Sequence, residues 1–409
     1  MQSTHHTLPD EESSSPSSSV IANRLSGLDA ARAVALYIGI VHHSIESMVS
    51  YAKSDWAAQD TQSSIVLDVL FYISHVFRMQ AFFWMAGYFA HLLYHRQGPT
   101  GFVRNRVMRL LVPFGLFWPL LYGLIRQMWV WGLQRNYPFT RAQAVVQLPT
   151  YMVWDKGFPL MHLWFLYFLL LFCGLVVLIR PLMNQWIDPT HRVRQAIDWL
   201  LQRSLTHWWG GLALGLLMVG PMLGMRDWFG VDTSASGLVT RWAPFCLYGL
   251  YFSAGWFVHR QPHLLAHLGR YWGANLGLGT GLIVVLIGLN LAFPQPTDSA
   301  GSAWALLSIN TLYAFASITS ALAFIGYMLV RFKEPNALIR YGSDSAYWGY
   351  LVHLPVVIFL QIVLAPLPWL WPLKLGIILG VTVVVVGLSY QYGVRKTWVG
   401  RLLNGRRYN

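Results

Sequence analysis

Between residues 28 and 394 the chain alternates long apolar runs with short polar breaks that carry most of its arginines. The runs fall near 28–49, 68–94, 109–133, 160–183, 208–225, 241–259, 271–293, 303–330, 340–366 and 371–394. Each approaches or exceeds the roughly 20 residues that a helix needs to cross a hydrocarbon core. A backbone in lipid has to satisfy its own hydrogen bonds, so runs of this length predict helices. The expected fold is all-α: a polytopic membrane protein with about ten transmembrane helices. An even number of spans puts both termini on one side.

The basic residues choose that side. With both termini cytoplasmic, the inner face collects Arg24, the Arg96 to Arg109 group, the Arg180 to Arg203 group, Arg260, Arg270, Arg331, Lys333, Arg340 and the residues from Arg395 to Arg407. The outer face keeps Lys53, Arg135, Arg141, Lys156, Arg226, Arg241 and Lys374. Cytoplasmic loops are the ones enriched in Lys and Arg, which orients the chain with its termini inside.

Composition changes this picture little. Hydrophobic residues make up 55% and charged residues 11%, below the roughly 25% of soluble chains. The formal charge of +13 is scattered between apolar segments, so it reads as orientation and not as a nucleic-acid surface. Cys173 and Cys246 each lie within an apolar run and predict neither a disulfide framework nor a metal site. Residues 1–23 are Ser-rich and polar and are expected to form a disordered cytoplasmic tail, with His5 and His6 solvated. The transmembrane domain then covers 24–395, and 396–409 forms a basic cytoplasmic tail.

The first run places ionisable groups inside a span, where they are costly and usually functional. Counting from Leu28, His43 lies about 22 Å up a helix, while Asp29 and Arg32 stay near its start. Glu46 follows His43 by three residues, a spacing that shares a helix face and allows a hydrogen bond holding one imidazole tautomer. His42 is expected to face another helix or a polar cavity. In the second run Arg78 reaches a depth comparable to His43, where it can pair with a carboxylate or hold a substrate oxygen. Arg104, Arg106 and Arg109 stand at the inner start of the third run. Guanidinium forks at a helix N-terminus make a cradle for an anionic cytosolic ligand. No zinc spacing, phosphate-binding loop, dinucleotide fingerprint or nucleophile elbow is present in the sequence.

Five segments occur in order: LDAARAVALYIGIVHH, FRMQAFFWMAGYF, RNRVMRLLVP, HLWFLYFLL and SDSAYWGYLVHLPV. Together they resemble the integral-membrane acyltransferase 3 family, with FRMQAFFWMAGYF nearest to its glucans biosynthesis protein C branch. The resemblance implies a bacterial inner-membrane enzyme that moves an acyl group from cytoplasmic acyl-CoA, acetyl- or succinyl-CoA, to a sugar hydroxyl outside. The helices would surround a polar transmembrane cavity, and no metal is implied. The acceptor would be a periplasmic glucan, an exopolysaccharide or a similar glycan, with membrane lipids as the other partner and no nucleic acid. The family's catalytic histidine, fourteen residues after the LD aspartate, falls on His43, and its R-x-x-R falls on Arg106 and Arg109. His162 and Trp164 would border the acceptor entrance. Ser345, Tyr347, Tyr350 and His353 either line the cavity or bond neighbouring helices.

Thioester chemistry suits these residues. The hydroxyl needs a general base, the oxyanion an electrophilic partner, and water must be kept out. His43 fits the first role and Arg78 the second. A covalent acyl-histidine relay stays open beside direct transfer. An intramembrane His, Arg and Glu with a basic inner mouth also suits a transporter or flippase of a sugar or lipid-linked glycan, although no halves related by a repeat are visible.

Overall fold

The computed structural model describes residues 18–50, 56–226, 230–233, 235–292, 300–334 and 336–405. Residues 1–17 of the predicted tail 1–23, with His5 and His6, lie outside them, as do Lys53 and 406–409. Among the described residues the fold is helical, with no strand beyond a lone bridge between Pro159 and Ser236. The helices are α1 (Ser18–Ile45), α2 (Ile65–Arg106), α3 (Val112–Asn136), α4 (Arg141–Val146), α5 (Trp164–Leu182), α6 (Arg192–Leu205) and α7 (Gly210–Leu223). They are followed by α8 (Trp242–Arg260), α9 (Leu264–Ala292), α10 (Ala300–Arg331), α11 (Ala337–Leu364), α12 (Trp371–Leu388) and α13 (Trp398–Asn404).

Among the described residues, six helical stretches are long and apolar enough to cross a membrane: Ile65–Asn136, Met161–Ile187, Leu264–Ala292, Trp304–Arg331, Ala337–Leu364 and Trp371–Val394. The first contains two of the sequence runs, because the chain turns at Gly98 (φ 67°) before Pro99. Of the other runs, α7 has only 14 residues, and α1 and α8 carry more polar side chains.

The turn at Gly98 corrects one expectation. Helix continues from Pro99 through Arg106 and a π-turn, Val107–Leu111, into α3. Arg104, Arg106 and Arg109 therefore sit inside a helix, and the free amides expected beside them are spent on the helix itself. Two ends also differ from the reading above. α1 begins at Ser18, propagated backward into the segment expected to be disordered. The expected basic tail forms α13, where Leu403 is buried and Val399 packs beside it.

Small residues let the helices approach. Gly87 of α2 and Gly255 of α8 face each other's helix so closely that a Cβ on either would collide with the partner's backbone. In lipid, where apolar side chains gain nothing by leaving water, such contacts hold helices together. α1 lies in the middle, packed against α2, α10, α11 and α12. Beyond its C-terminal turn, the segment from Trp56 to Gln62 folds back over it.

That segment is pinned by charge. Lys374 of α12 donates to Asp60 at 2.7 Å and to the Ala365 carbonyl at 3.2 Å, and both ionic side chains are essentially unexposed. Lys374 is thus an internal tie and not the outward-facing charge read from the sequence. Arg241 likewise pairs with Asp232. Removing one partner of a buried pair strands the other's charge, at a cost of about 3–5 kcal/mol. Lys374→Met is expected to lower the melting temperature of the detergent-solubilised protein, and adding Asp60→Asn should recover most of the loss. A single variant as stable as the wild type would show that the pair carries no weight.

Candidate active site

A cavity of about 1060 Å³ opens beside α1. At one end its wall holds Arg96, Gln97, Arg106 and Arg109, and at the other His42, His43, Glu46, Trp56 and His162. Arg32, Trp164, Tyr347, Tyr350 and His353 line it between or beside these ends. Asp29, Arg104 and Ser345 do not reach it. Asp29 pairs with Arg32 at 3.2 Å, and Ser345 donates to the Gly342 carbonyl inside α11. Arg104 faces a neighbouring groove with Arg401 and Trp398, because two residues along a helix turn it about 200° from Arg106.

His43 is held by its own helix end. α1 gives way after Ile45 to a 3₁₀ turn, Glu46–Met48, which brings Glu46 Oε2 to 2.9 Å from His43 Nδ1. With Glu46 ionised, Nδ1 would donate to it and Nε2 would keep its lone pair. His42, whose ring meets that of His43 edge-on at 5.1 Å, sits 2.7 Å from Ser74 Oγ, whose hydroxyl donates to the Phe71 carbonyl. Its ring stacks on Phe71 at 4.0 Å. One histidine therefore has a carboxylate partner, and its neighbour is tied into packing.

Arg78 comes in from α2, only 7% exposed. A Cβ at Gly39 would lie 3.2 Å from its Nη1, so the glycine one turn below His43 leaves room for the guanidinium. Its Nε and Nη1 have no hydrogen-bond partner among the described residues, while the Glu46 carboxylate acts on it electrostatically. Unpaired donors beside a histidine and a carboxylate suit a ligand oxygen.

α11 supplies a strip along the cavity. Tyr347 donates to the Arg109 carbonyl at 2.8 Å and Tyr350 to the His162 carbonyl at 2.7 Å. The His353 ring lies 5.4 Å from His43 and 6.1 Å from His162, with its Nδ1 bonded to backbone carbonyls of its own helix. At the basic end Arg109 donates to the Leu403 carbonyl of α13 at 2.9 and 3.3 Å, and Arg106 lies over Phe102. Among the described residues no three His, Cys, Asp or Glu side chains are grouped to hold a metal ion.

Several residues in or behind the wall escaped the sequence reading. His75 stands three residues before Arg78 and bonds Tyr313, so the spacing used for His43 and Glu46 would have found it. Gln361 is a lone amide in an apolar run, the same signal that drew attention to Arg78. Trp56 and Trp129 carry no such mark.

A buried guanidinium with two unpaired nitrogens costs stability. Arg78→Met is expected to leave the melting temperature equal to or a few degrees above that of the wild type, as at sites kept for activity. A clear drop would make Arg78 a structural tie.

Comparison with known proteins completes the picture. The profile of the acyltransferase domain (acyltransferase 3) matches residues 25–390. Glucans biosynthesis protein C of Salmonella paratyphi B is 26% identical over 361 residues, 85% of this chain and 86% of its own, and that of Salmonella dublin gives the same figures. The protein of that name from Salmonella gallinarum is 26% identical over 364 residues. No solved structure matches. With the family profile covering nearly all of the helical body that surrounds His43, the chain belongs to the acyltransferase 3 family and is a multi-pass membrane acyltransferase.

Proposed function

We propose that the protein is a transmembrane O-acyltransferase that carries an acetyl or succinyl group from cytoplasmic acyl-CoA to a hydroxyl of a periplasmic or cell-surface glycan. The glycan acceptor follows the name of the Salmonella relatives. About ten spans in the bacterial inner membrane, with both termini cytoplasmic, accommodate the ten apolar runs and the distribution of basic residues. The observation that carries the reading is the cavity itself, whose wall contains both Arg106 and Arg109 and the pair His43 and Glu46.

In this reading Arg106 and Arg109 take the donor's phosphates at the inner mouth. His43 Nε2 accepts the proton of the sugar hydroxyl while the hydroxyl oxygen bonds to the thioester carbon. Arg78 stabilises the oxyanion through its unpaired nitrogens. As the C–S bond breaks, the departing thiolate takes the proton from the His43 imidazolium, so protons and electrons balance. Glu46 holds the imidazole in the tautomer that this requires and offsets its transient charge.

One distance supports a donor held at the arginines reaching His43. Tyr347, bonded at Arg109, and His353, beside His43, are six residues apart on α11, or about 9 Å along its axis. The pantetheine arm of a donor held at the arginines is long enough to bring its thioester to His43, which direct transfer and an acyl-histidine relay both require.

His43→Ala is expected to abolish acyl transfer to glycan in membranes that contain normal amounts of the protein, with His42→Ala much milder. The reverse pattern would move the base to His42. Glu46→Gln should lower turnover about a hundredfold or more, because the imidazole loses the partner that fixes its tautomer. Neutralising Arg106 and Arg109 together should raise the donor KM about ten- to hundredfold, as expected for charge-assisted contacts. An unchanged donor KM would reduce those arginines to a topology signal.

A further inference from the structure

Gln361 occupies a fully buried position on α11, in a stretch otherwise made of aliphatic and aromatic side chains. Its amide nitrogen donates to the His43 carbonyl at 2.8 Å and to the Ser44 carbonyl at 3.1 Å. Its amide oxygen accepts from the indole Nε1 of Trp56 at 2.8 Å. The last carbonyls of a helix have no partner within it, and here a single side chain supplies two of them. Only a primary amide of this length offers two donors to one element and an acceptor to another; a carboxylate lacks the donors and an apolar side chain lacks both.

The arrangement binds two otherwise separate objects. One is the carbonyl end of α1, from which the His43 side chain springs. The other is Trp56, whose ring lies nearly parallel to the His43 imidazole, at 11° with centroids 6.4 Å apart. Trp129 backs the indole edge-on at 4.9 Å, and Trp56 lines the cavity beside His43. The segment carrying Trp56 is also anchored by the buried Asp60–Lys374 pair, so the indole cannot drift from the histidine without breaking a second tie.

We propose that Gln361 is a positioning residue that fixes the angle of His43 and holds Trp56 as the flat apolar face against which the acceptor's sugar ring packs. This rests on the acyl-transfer reading above. The carbon-bound hydrogens on one face of a pyranose are slightly positive and apolar, and they suit the electron-rich face of an indole. A ring seated there turns a hydroxyl toward His43 Nε2. Small displacements between base and hydroxyl are costly, since an error of about 1 Å can reduce the rate a hundredfold.

The test uses the full-length protein in lipid nanodiscs with acyl-CoA and a linear β-glucan oligosaccharide, and binding of that oligosaccharide without donor is measured by calorimetry. Gln361→Leu is expected to lower kcat about ten- to hundredfold and to raise the acceptor KM, with the donor KM within about twofold of the wild type. Trp56→Leu should raise the acceptor KM and weaken oligosaccharide binding roughly tenfold, and Trp56→Phe, which keeps a flat ring, should restore most of both. The proposal is overturned if Gln361→Leu loses activity only in proportion to the folded fraction with both KM values unchanged. It is equally overturned if Trp56→Leu binds the oligosaccharide as the wild type does. If the wild type transfers no acyl group to the glycan yet loses oligosaccharide binding in Trp56→Leu, the acyl-transfer reading fails and the seat for the sugar ring stands.

Discussion

Every charge sunk into this apolar helix assembly has to meet a partner or remain costly, and that constraint shapes the region around α1. Glu46 meets His43, and Lys374 meets Asp60. Arg78 keeps two nitrogens unpaired in the same cavity. The satisfied pairs fix geometry, and the unsatisfied donors mark where a ligand oxygen would complete the set. The polar interior is therefore rigid on the side of Asp60 and Gln361 and incomplete at Arg78.

α11 turns these local ties into one site. Its face touches the Arg109 carbonyl through Tyr347, the His162 carbonyl through Tyr350, His43 through the His353 ring, and the end of α1 through Gln361. A single helix thus registers the basic mouth against the histidine end. The helical strip needs few residues to do this, because side chains three and four apart share a face. Close packing of small residues elsewhere, as between Gly87 and Gly255, holds the surrounding helices in place without drawing on polar groups.

Much of this was legible in the chain because lipid simplifies the code. Apolar runs mark helices, and polar residues inside them mark candidate sites, so His43, Glu46 and Arg78 stood out from spacing and depth alone. What was not legible depended on tertiary contacts. The turn at Gly98 moved the helix start away from Arg106 and Arg109, because local spacing does not reveal which of several breaks the chain uses. Lys374 looked like a surface charge, since its carboxylate partner, Asp60, is more than three hundred residues away in sequence. Trp56 is one of 20 tryptophans, and its bond to Gln361 and its place beside His43 arise only in the folded chain. α13 forms within the expected basic tail, because Leu403 finds a buried seat beside Arg109 that sequence hydropathy does not register.

The central claim is that one cavity joins a donor on the inner side to an acceptor on the outer side. Its most direct test is transfer across a sealed bilayer: the purified protein in proteoliposomes, radiolabelled acyl-CoA trapped inside, and oligoglucan outside. The account predicts label on the external glycan, with free CoA accumulating inside and none of the donor escaping. Label that appears only when donor and glycan are placed on the same side would contradict it.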